Sequence, residues 1–243
     1  MKNPELRVER VEGDLQAIDL SSLLQIAAVY ADAFKWDEWN EWTKCPVDGK
    51  FFGATTSPGE PSACCNEPLQ LAYPAAETVE YIQCELTRPE ASLFVLKDDE
   101  RIAGFSWAFK YASPGVLARE KYRTDQMRER VVGALAGMGI TGSLYYLSET
   151  GILKDARYRG RGISNDFYRL RLERAQALGL PAVQRTTINS PMYMTARSAG
   201  MTQVIGPIAE RRGSGCTVTG KFAGGIEDSE LSPRVLFVTT FGD

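Results

Sequence analysis

An apolar stretch, a turn holding two glycines and an amphipathic helix follow one another between residues 143 and 178, and this succession constrains the fold more than anything else in the chain. The turn reads Arg157-Tyr158-Arg159-Gly160-Arg161-Gly162. Glycines two apart let a backbone take left-handed angles and come close to a ligand. A helix beginning at Ile163 turns its free first amides toward the same spot, and three arginines add positive charge. This is the chemistry of a pyrophosphate cradle. It is no Walker loop, which needs Gly-Lys-Ser/Thr, and it lacks the three-glycine spacing of a dinucleotide-binding turn. Arg-Gly steps also occur in solvated loops and RNA-binding segments, so the six residues alone leave those readings open. Upstream, Ser143-Leu144-Tyr145-Tyr146-Leu147-Ser148 and Ile152-Leu153 read as a strand. Downstream, Ile163, Phe167, Leu170 and Leu178 share a helical face on which Arg174 intrudes, and Gly179-Leu180-Pro181 stops the helix.

A second segment lies further along. Residues 182–188 read as a strand, and 189–199 as a short helix closed by Gly200-Met201. The turn resembles the Q/R-x-x-G-x-G/A motif of the GNAT (GCN5-related) N-acetyltransferases. Asn189 followed by Gly200-Met201 resembles the Asn and Gly-Phe of the same family, in the same order and at the same spacing. The resemblance implies an α/β fold whose central, mostly antiparallel sheet is splayed and flanked by helices, with acetyl-CoA as co-substrate. It implies that Arg157, Tyr158, Arg159, Gly160, Arg161, Gly162 and Ile163 hold the pyrophosphate. The backbone of Gly151, Ile152 and Leu153 would pair with the pantetheine arm, and Asn189 would order the second half of the cofactor site. The implied activity is direct acetyl transfer to a primary amine. A peptide or protein acceptor, through a lysine or an N-terminus, is the first alternative, and a CoA-binding regulatory module without turnover is the second.

Direct transfer needs a base, because an ammonium ion has no lone pair, and the chain contains no histidine. The choice falls on a carboxylate. Glu149 lies in Ser148-Glu149-Thr150-Gly151-Ile152, on the strand that would line the slot, where family members often carry a glutamate, and it is the expected base. A glutamate at an exposed strand position, or an anchor for substrate charge, is the plainer alternative. Asp155 reads as a turn residue. The family's acid, a tyrosine seven residues after the motif asparagine, is replaced here by Ala196. Tyr193, about one helical turn earlier, is the expected stand-in, against the plainer reading of a packed aromatic.

The chain has 243 residues, 44% of them hydrophobic, which suffices for a single domain over 1–243 with a sizeable core. Lys and Arg number 28 against 31 Asp and Glu, a net charge of −3, so the basic surface of a nucleic-acid binder is not expected. No apolar run reaches the ~18 residues of a membrane span, and Met1-Lys2-Asn3-Pro4-Glu5 carries no signal-peptide core. The expectation is a cytoplasmic protein that acts on a small-molecule amine or a peptide, with no membrane partner. A homodimer is compatible with it.

Residues 6–11 alternate as a first strand, 21–34 and 77–86 read as helices, and 92–96 with 102–109 form a hairpin around Lys97-Asp98-Asp99-Glu100-Arg101. An insertion over 114–138 holds one extra helix, about 116–135, whose runs Arg119-Glu120-Lys121 and Arg128-Glu129-Arg130 read as a solvated face. Residues 202–205 and 235–241 read as closing strands joined by a glycine-rich connection. Between the first two helices a long loop, 35–75, covers the acceptor side. It holds Trp36, Trp39, Trp42, Phe51, Phe52 and Tyr73, interleaved with Asp37, Glu38 and Glu41. Trp36, Asp37 and Glu38 are expected to hold a cationic acceptor, the plain alternative being a loop with its own small core. Cys45-Pro46-Val47-Asp48-Gly49-Lys50 resembles a zinc knuckle with Asp in the second ligand position, and Cys64-Cys65 lies at a return distance. Adjacent cysteines rarely ligate together, no His is present, and five cysteines make an odd set. Neither bound metal nor a disulfide framework is therefore expected, and a cysteine nucleophile lacks a histidine to activate it.

Overall fold

Strand β1 (Arg7–Arg10) is followed by helix α1 (Leu20–Phe34), whose start is capped by the Asp19 carboxylate accepting from the Ser22 amide at 2.9 Å. The computed structural model describes residues 6–36, 39–122, 124–158, 160–211 and 231–241, with 207–211 and 231–233 as backbone alone. The segment after α1 is more than a loop. It carries three two-residue strands, β2 (Thr43–Lys44), β3 (Phe51–Phe52) and β4 (Gln70–Leu71), which pair in the order β3-β2-β4. Helix α2 (Ala75–Leu86) then starts directly behind Pro74. Strands β5 (Ser92–Asp98) and β6 (Arg101–Tyr111) form the expected hairpin, turning at Asp99 with φ +55°.

Where the sequence suggests one inserted helix, the chain forms two, α3 (Pro114–Lys121) and α4 (Asp125–Gly137). Ser113 and Thr124 each start a helix by accepting from the amides of Val116 and Met127, and Tyr122 between them is extended. The charge run on α3 is not a solvated face. Lys121 is buried with its ammonium 5.1 Å from the Tyr146 ring, and Glu120 accepts from the Tyr111 hydroxyl and pairs with Arg88. The remaining elements are β7 (Leu144–Ile152), α5 (Ile163–Ala177), β8 (Ala182–Thr187), α6 (Pro191–Ser198), β9 (Thr202–Arg211) and β10 (Leu231–Thr239). No helix among the described residues is long and apolar enough to cross a membrane.

Seven strands form one sheet in the order β1-β5-β6-β7-β8-β10-β9, and every neighbouring pair is antiparallel except β7 with β8. Alternation divides the strands between two cores. Leu93, Val95, Phe105 and Trp107 pack with Leu23, Ile26 and Tyr30 of α1, Ile82 of α2 and Leu117 and Leu135 of α3 and α4. Phe94 and Leu96 pack on the opposite face with Ile163 and Phe167 of α5, and Tyr145 and Leu147 pack there with Tyr168, Ala175 and Ala196. The sheet is thus covered on both faces, α1 to α4 on one and α5 with α6 on the other. On α5 the buried charge is Arg171, four residues after Phe167, while Arg174 reaches Glu90 at 2.8 Å. The Arg171 guanidinium lies 5.3 Å from the Tyr168 ring without a hydrogen-bond partner among the described residues, and burial lowers its pKa to about 10.

Candidate active site

The parallel pair β7 and β8 makes contact only at its beginning. Tyr145 registers with Ala182 and Tyr146 with Val183, and no pairing follows although β7 runs on to Ile152 and β8 to Thr187. Beyond Tyr146 the strands separate, and the free edge of β7 faces an opening. On its other edge β7 carries a bulge. Ser106 registers with Thr150 and Ala108 with Leu147, so Trp107 of β6 opposes both Ser148 and Glu149. A bulge of this kind turns two successive side chains to one side, and Ser148 and Glu149 both line the same cavity.

That cavity, of about 120 Å³, lies in the gap between the strands. Ser148, Glu149 and Thr150 of β7 face Gln184, Arg185 and Thr186 of β8, and Trp39, Glu41, Phe51 and Tyr73 reach in from the segment between α1 and α2. Three carboxylates stand at or near it, and their partners separate their roles. Glu85 is fully buried and saturated, accepting from Ser148 Oγ at 3.0 Å, Trp107 Nε1 at 3.4 Å and Arg88 Nε at 3.1 Å. Glu41 accepts from the Tyr73 hydroxyl, whose own pKa burial and this carboxylate raise well above the usual phenol value. Glu149 has no hydrogen bond or ion pair on its carboxylate among the described residues. By surface area it is half-buried because it opens onto the cavity, and protein encloses it otherwise. Burial raises its pKa and Glu85 adds to the rise, while Lys121, Arg234 and Arg185 oppose it. A carboxylate shifted upward and facing a cavity is equipped to take a proton.

A groove of about 540 Å³ adjoins the cavity, and the two share Phe34, Trp39, Thr150 and Met192 as walls. The groove is lined by the end of β7 at Gly151 and Ile152, by Leu153 just beyond it, and by Gly160, Arg161, Gly162, Ile163, Ser164 and Asn165. Gly160 and Gly162 have φ of +68° and +74°, and a Cβ on either would meet no protein atom within 4 Å. Gly162 is the N-cap of α5 and offers no side-chain cap, so the first amides of the helix are left for a ligand. Lys154 lines the same groove with its ammonium 4.5 Å from the Trp36 ring, and the buried Trp36 indole N–H has no partner among the described residues. Cationic side chains, an uncapped helix start and an orphaned donor fit a pyrophosphate-bearing ligand.

The sequence-predicted residues divide accordingly. Gly151, Ile152, Leu153, Tyr158, Gly160, Arg161, Gly162 and Ile163 line the groove. Arg157 does not; it pairs with Asp98 at 3.2 Å and Asp155 at 3.1 Å, while Tyr158 donates to Asp98 at 2.6 Å, so these two fasten the turn to the hairpin. The Leu153 amide donates to the Ala103 carbonyl at 2.9 Å, and strand alternation therefore leaves the Ile152 backbone on the open edge. Asn189 is exposed and its neighbours Ser190, Pro191 and Met192 line the groove instead. Tyr193 lines neither space. Its ring packs on Phe237 with centroids 5.4 Å apart and its hydroxyl points to Gln203 at 3.4 Å, so it is the packed aromatic of the plainer reading. Trp36 belongs to the groove and not to the acceptor side. Asp37, Glu38, Arg159 and Cys216 lie outside the described residues. Sequence reasoning missed Lys121, Arg185 and Arg234 on the cavity wall; the available signal was a charged residue inside the strand segment Ala182-Val183-Gln184-Arg185-Thr186-Thr187.

No family model and no curated protein sequence matches the chain. Solved structures match along nearly the whole length. A Drosophila melanogaster polyamine N-acetyltransferase that forms N-acetylagmatine is 15% identical, over 98% of this chain and 100% of its own, with a TM-score of 0.53. A mosquito arylalkylamine N-acetyltransferase-like protein is 13% identical, over 98% and 100%, at 0.53. Arabidopsis thaliana NAA60, solved in complex with acetyl-CoA, is 13% identical, over 97% and 98%, at 0.52. With its one parallel, splayed strand pair in a seven-stranded sheet covered by helices on both faces, this chain has the fold of the GNAT acetyltransferases.

Proposed function

We propose that the chain is an acetyl-CoA-dependent N-acetyltransferase that acylates a small primary amine by direct transfer. Acetyl-CoA would supply the acetyl group as a thioester. Gly160, Arg161, Gly162 and the uncapped start of α5 bind its pyrophosphate, Lys154 and Trp36 close the groove, and the Ile152 backbone orients its arm. Glu149 takes the proton of the acceptor ammonium, so that a lone pair is available at the junction of groove and cavity. No cysteine lines the cavity among the described residues, which favours direct attack over an acyl-enzyme. The neutral acceptor amine and a thiol of modest basicity as leaving group make a dedicated acid dispensable. The observation that carries the reading is Glu149, an unpartnered carboxylate in a cavity that opens onto a groove built for a phosphorylated ligand.

Relatives by fold include a polyamine N-acetyltransferase and an arylalkylamine N-acetyltransferase-like protein, which supports ranking a small amine above a protein acceptor. A second reading, CoA binding without turnover, is favoured by Ala196 being buried and Tyr193 turned onto Phe237. Thiol release from acetyl-CoA across polyamines, arylalkylamines, aminoglycosides, amino acids and lysine peptides tests both. Release with a small amine is the expected outcome; tight CoA binding without release from any class selects the second reading.

A further inference from the structure

The segment between α1 and α2 brings together three thiols, the adjacent Cys64 and Cys65 and, 19 positions before Cys64, Cys45. After β2 the chain turns back on itself: the Cys45 amide donates to the Lys50 carbonyl and the Gly49 amide returns to the Cys45 carbonyl, both at 2.9 Å, with Gly49 at φ +68°. The Lys50 amide donates to Asp48 Oδ1 at 2.9 Å, which holds that carboxylate on the inner side of the turn. A second tight loop closes through Ser62 to Glu67 at 2.8 Å and Asn66 to Ser62 at 2.9 Å, Asn66 taking the left-handed conformation at φ +64°. It sets Cys64 and Cys65 against Cys45. The Sγ atoms of Cys45 and Cys65 are 3.2 Å apart, those of Cys64 and Cys65 4.0 Å, and all three lie within 4.8 Å of one another while remaining free thiols. A tetrahedral zinc ion with bonds of about 2.3 Å to sulfur spaces its sulfurs by roughly 3.8 Å. The Asp48 carboxylate reaches the Cys64 and Cys45 thiols, although only the three sulfurs all close to within 4.8 Å of one another.

We infer that Cys45, Cys64 and Cys65 supply three thiolates of a structural zinc site, which Asp48 on the neighbouring turn would close in to complete as fourth ligand when the ion binds. The objection that adjacent cysteines rarely ligate together is met by the Ser62 to Asn66 loop, whose left-handed Asn66 lets both thiols face Cys45. Cys45 is fully buried whereas Cys64 and Cys65 are exposed, which leaves a side open for the ion to enter. The segment also needs such a staple. Its three strands are two residues long, well below what holds a sheet together unaided. Metal binding releases the thiol protons to solvent and fixes the mini-sheet. Because that segment carries Glu41, Phe51 and Tyr73, the ion would also fix one wall of the cavity.

The test uses the full chain, purified under reducing conditions without chelator. Elemental analysis should give about one zinc per chain, and cobalt(II) in its place should show the intense thiolate charge-transfer and tetrahedral ligand-field absorption of a sulfur-rich site. Cys45→Ser puts a hydroxyl in place of a fully buried thiol and can fail to fold, so the exposed ligands carry the test. Cys64→Ser and Cys65→Ser should each weaken zinc binding about tenfold or more in a folded chain, and Cys84→Ser should leave it unchanged. A reduced, folded chain that takes up neither zinc nor cobalt on titration overturns the site, as does a Cys64→Ser or Cys65→Ser chain that binds zinc as tightly as the parent.

Discussion

Glu149→Gln isolates the proton-transfer step, because the amide keeps the volume and planarity of the carboxylate and loses only its basicity. No described residue hydrogen-bonds the carboxylate, so the substitution strands no partner. A positioned general base contributes about 10²–10⁴ in rate, roughly 2.7–5.5 kcal/mol at 1.36 kcal/mol per tenfold. Turnover should fall within that range. CoA affinity should hold, since the pyrophosphate turn lines the groove and Glu149 lines the cavity. The pH profile gives a second readout. Burial raises the Glu149 pKa above its ordinary 4.5, so the acid limb of kcat/KM in the parent should lie above that value and vanish in the variant. Stability carries the opposite sign. A raised pKa favours the neutral acid in the native state, and that contribution is complete below the unfolded pKa and lost as pH rises through the folded one. The variant lacks this loss, so its Tm relative to the parent should rise from below pH 4.5 to neutrality. The assays are thiol release under steady state, CoA calorimetry and thermal melts across pH. A folded variant whose kcat and acceptor KM both match the parent would refute the assignment, whereas a raised KM with kcat retained would make Glu149 an anchor for acceptor charge.

Gly162→Val should weaken CoA binding at least about tenfold, or 1.4 kcal/mol, by calorimetry. Its Cβ meets no protein atom within 4 Å, so in a folded variant an unchanged affinity would remove the turn from the cofactor site. Gly151→Ala should lower stability by about 1–3 kcal/mol in denaturant melts, because the added Cβ lies 2.6 Å from the Phe105 ring and 3.0 Å from Ala33 Cβ. Tyr193→Phe should leave turnover near the parent value, since the hydroxyl points to Gln203 and away from the cavity; a large loss of kcat with KM held would restore it as the acid.

What the sequence disclosed and what it hid follow from the range of the interactions involved. The glycine turn and the helix start after it were legible because both are local: Gly160, Gly162 and Ile163 need only their neighbours to be recognised. The same holds for the hairpin at Asp99. The break between α3 and α4 was written in Thr124, an ordinary capping residue between the two charge runs of what reads as one helix. Arg157 looked like a phosphate ligand by spacing, yet its charge is claimed by Asp98, 59 residues away in the chain, and no local pattern records that. Lys121 sat in a charge run that reads as surface; only the packing of α3 against Tyr146 turns it inward. The cysteine cluster was half visible, since the knuckle around Cys45 is local while the return of Cys64 and Cys65 depends on the loop closed at Ser62.

The direction of Glu149 is the clearest case of a site residue aimed by contacts outside its own segment. Along β7, Tyr145 and Leu147 face the α5 and α6 core, and strict alternation would send residue 149 to that same side, away from the cavity. The extra residue at Ser148-Glu149 reverses this, and the bulge has identifiable holders. Ser148 donates to the fully buried Glu85 on α2, and the Ser106 hydroxyl donates to the Glu149 carbonyl at 3.3 Å and shares a 2.8 Å hydrogen bond with Thr150. Glu85 is in turn fixed by Arg88 and Trp107. A carboxylate that looks like the natural base, Glu85, therefore serves to position the strand, and the less conspicuous Glu149 is left without a partner in the cavity, the condition a proton acceptor requires.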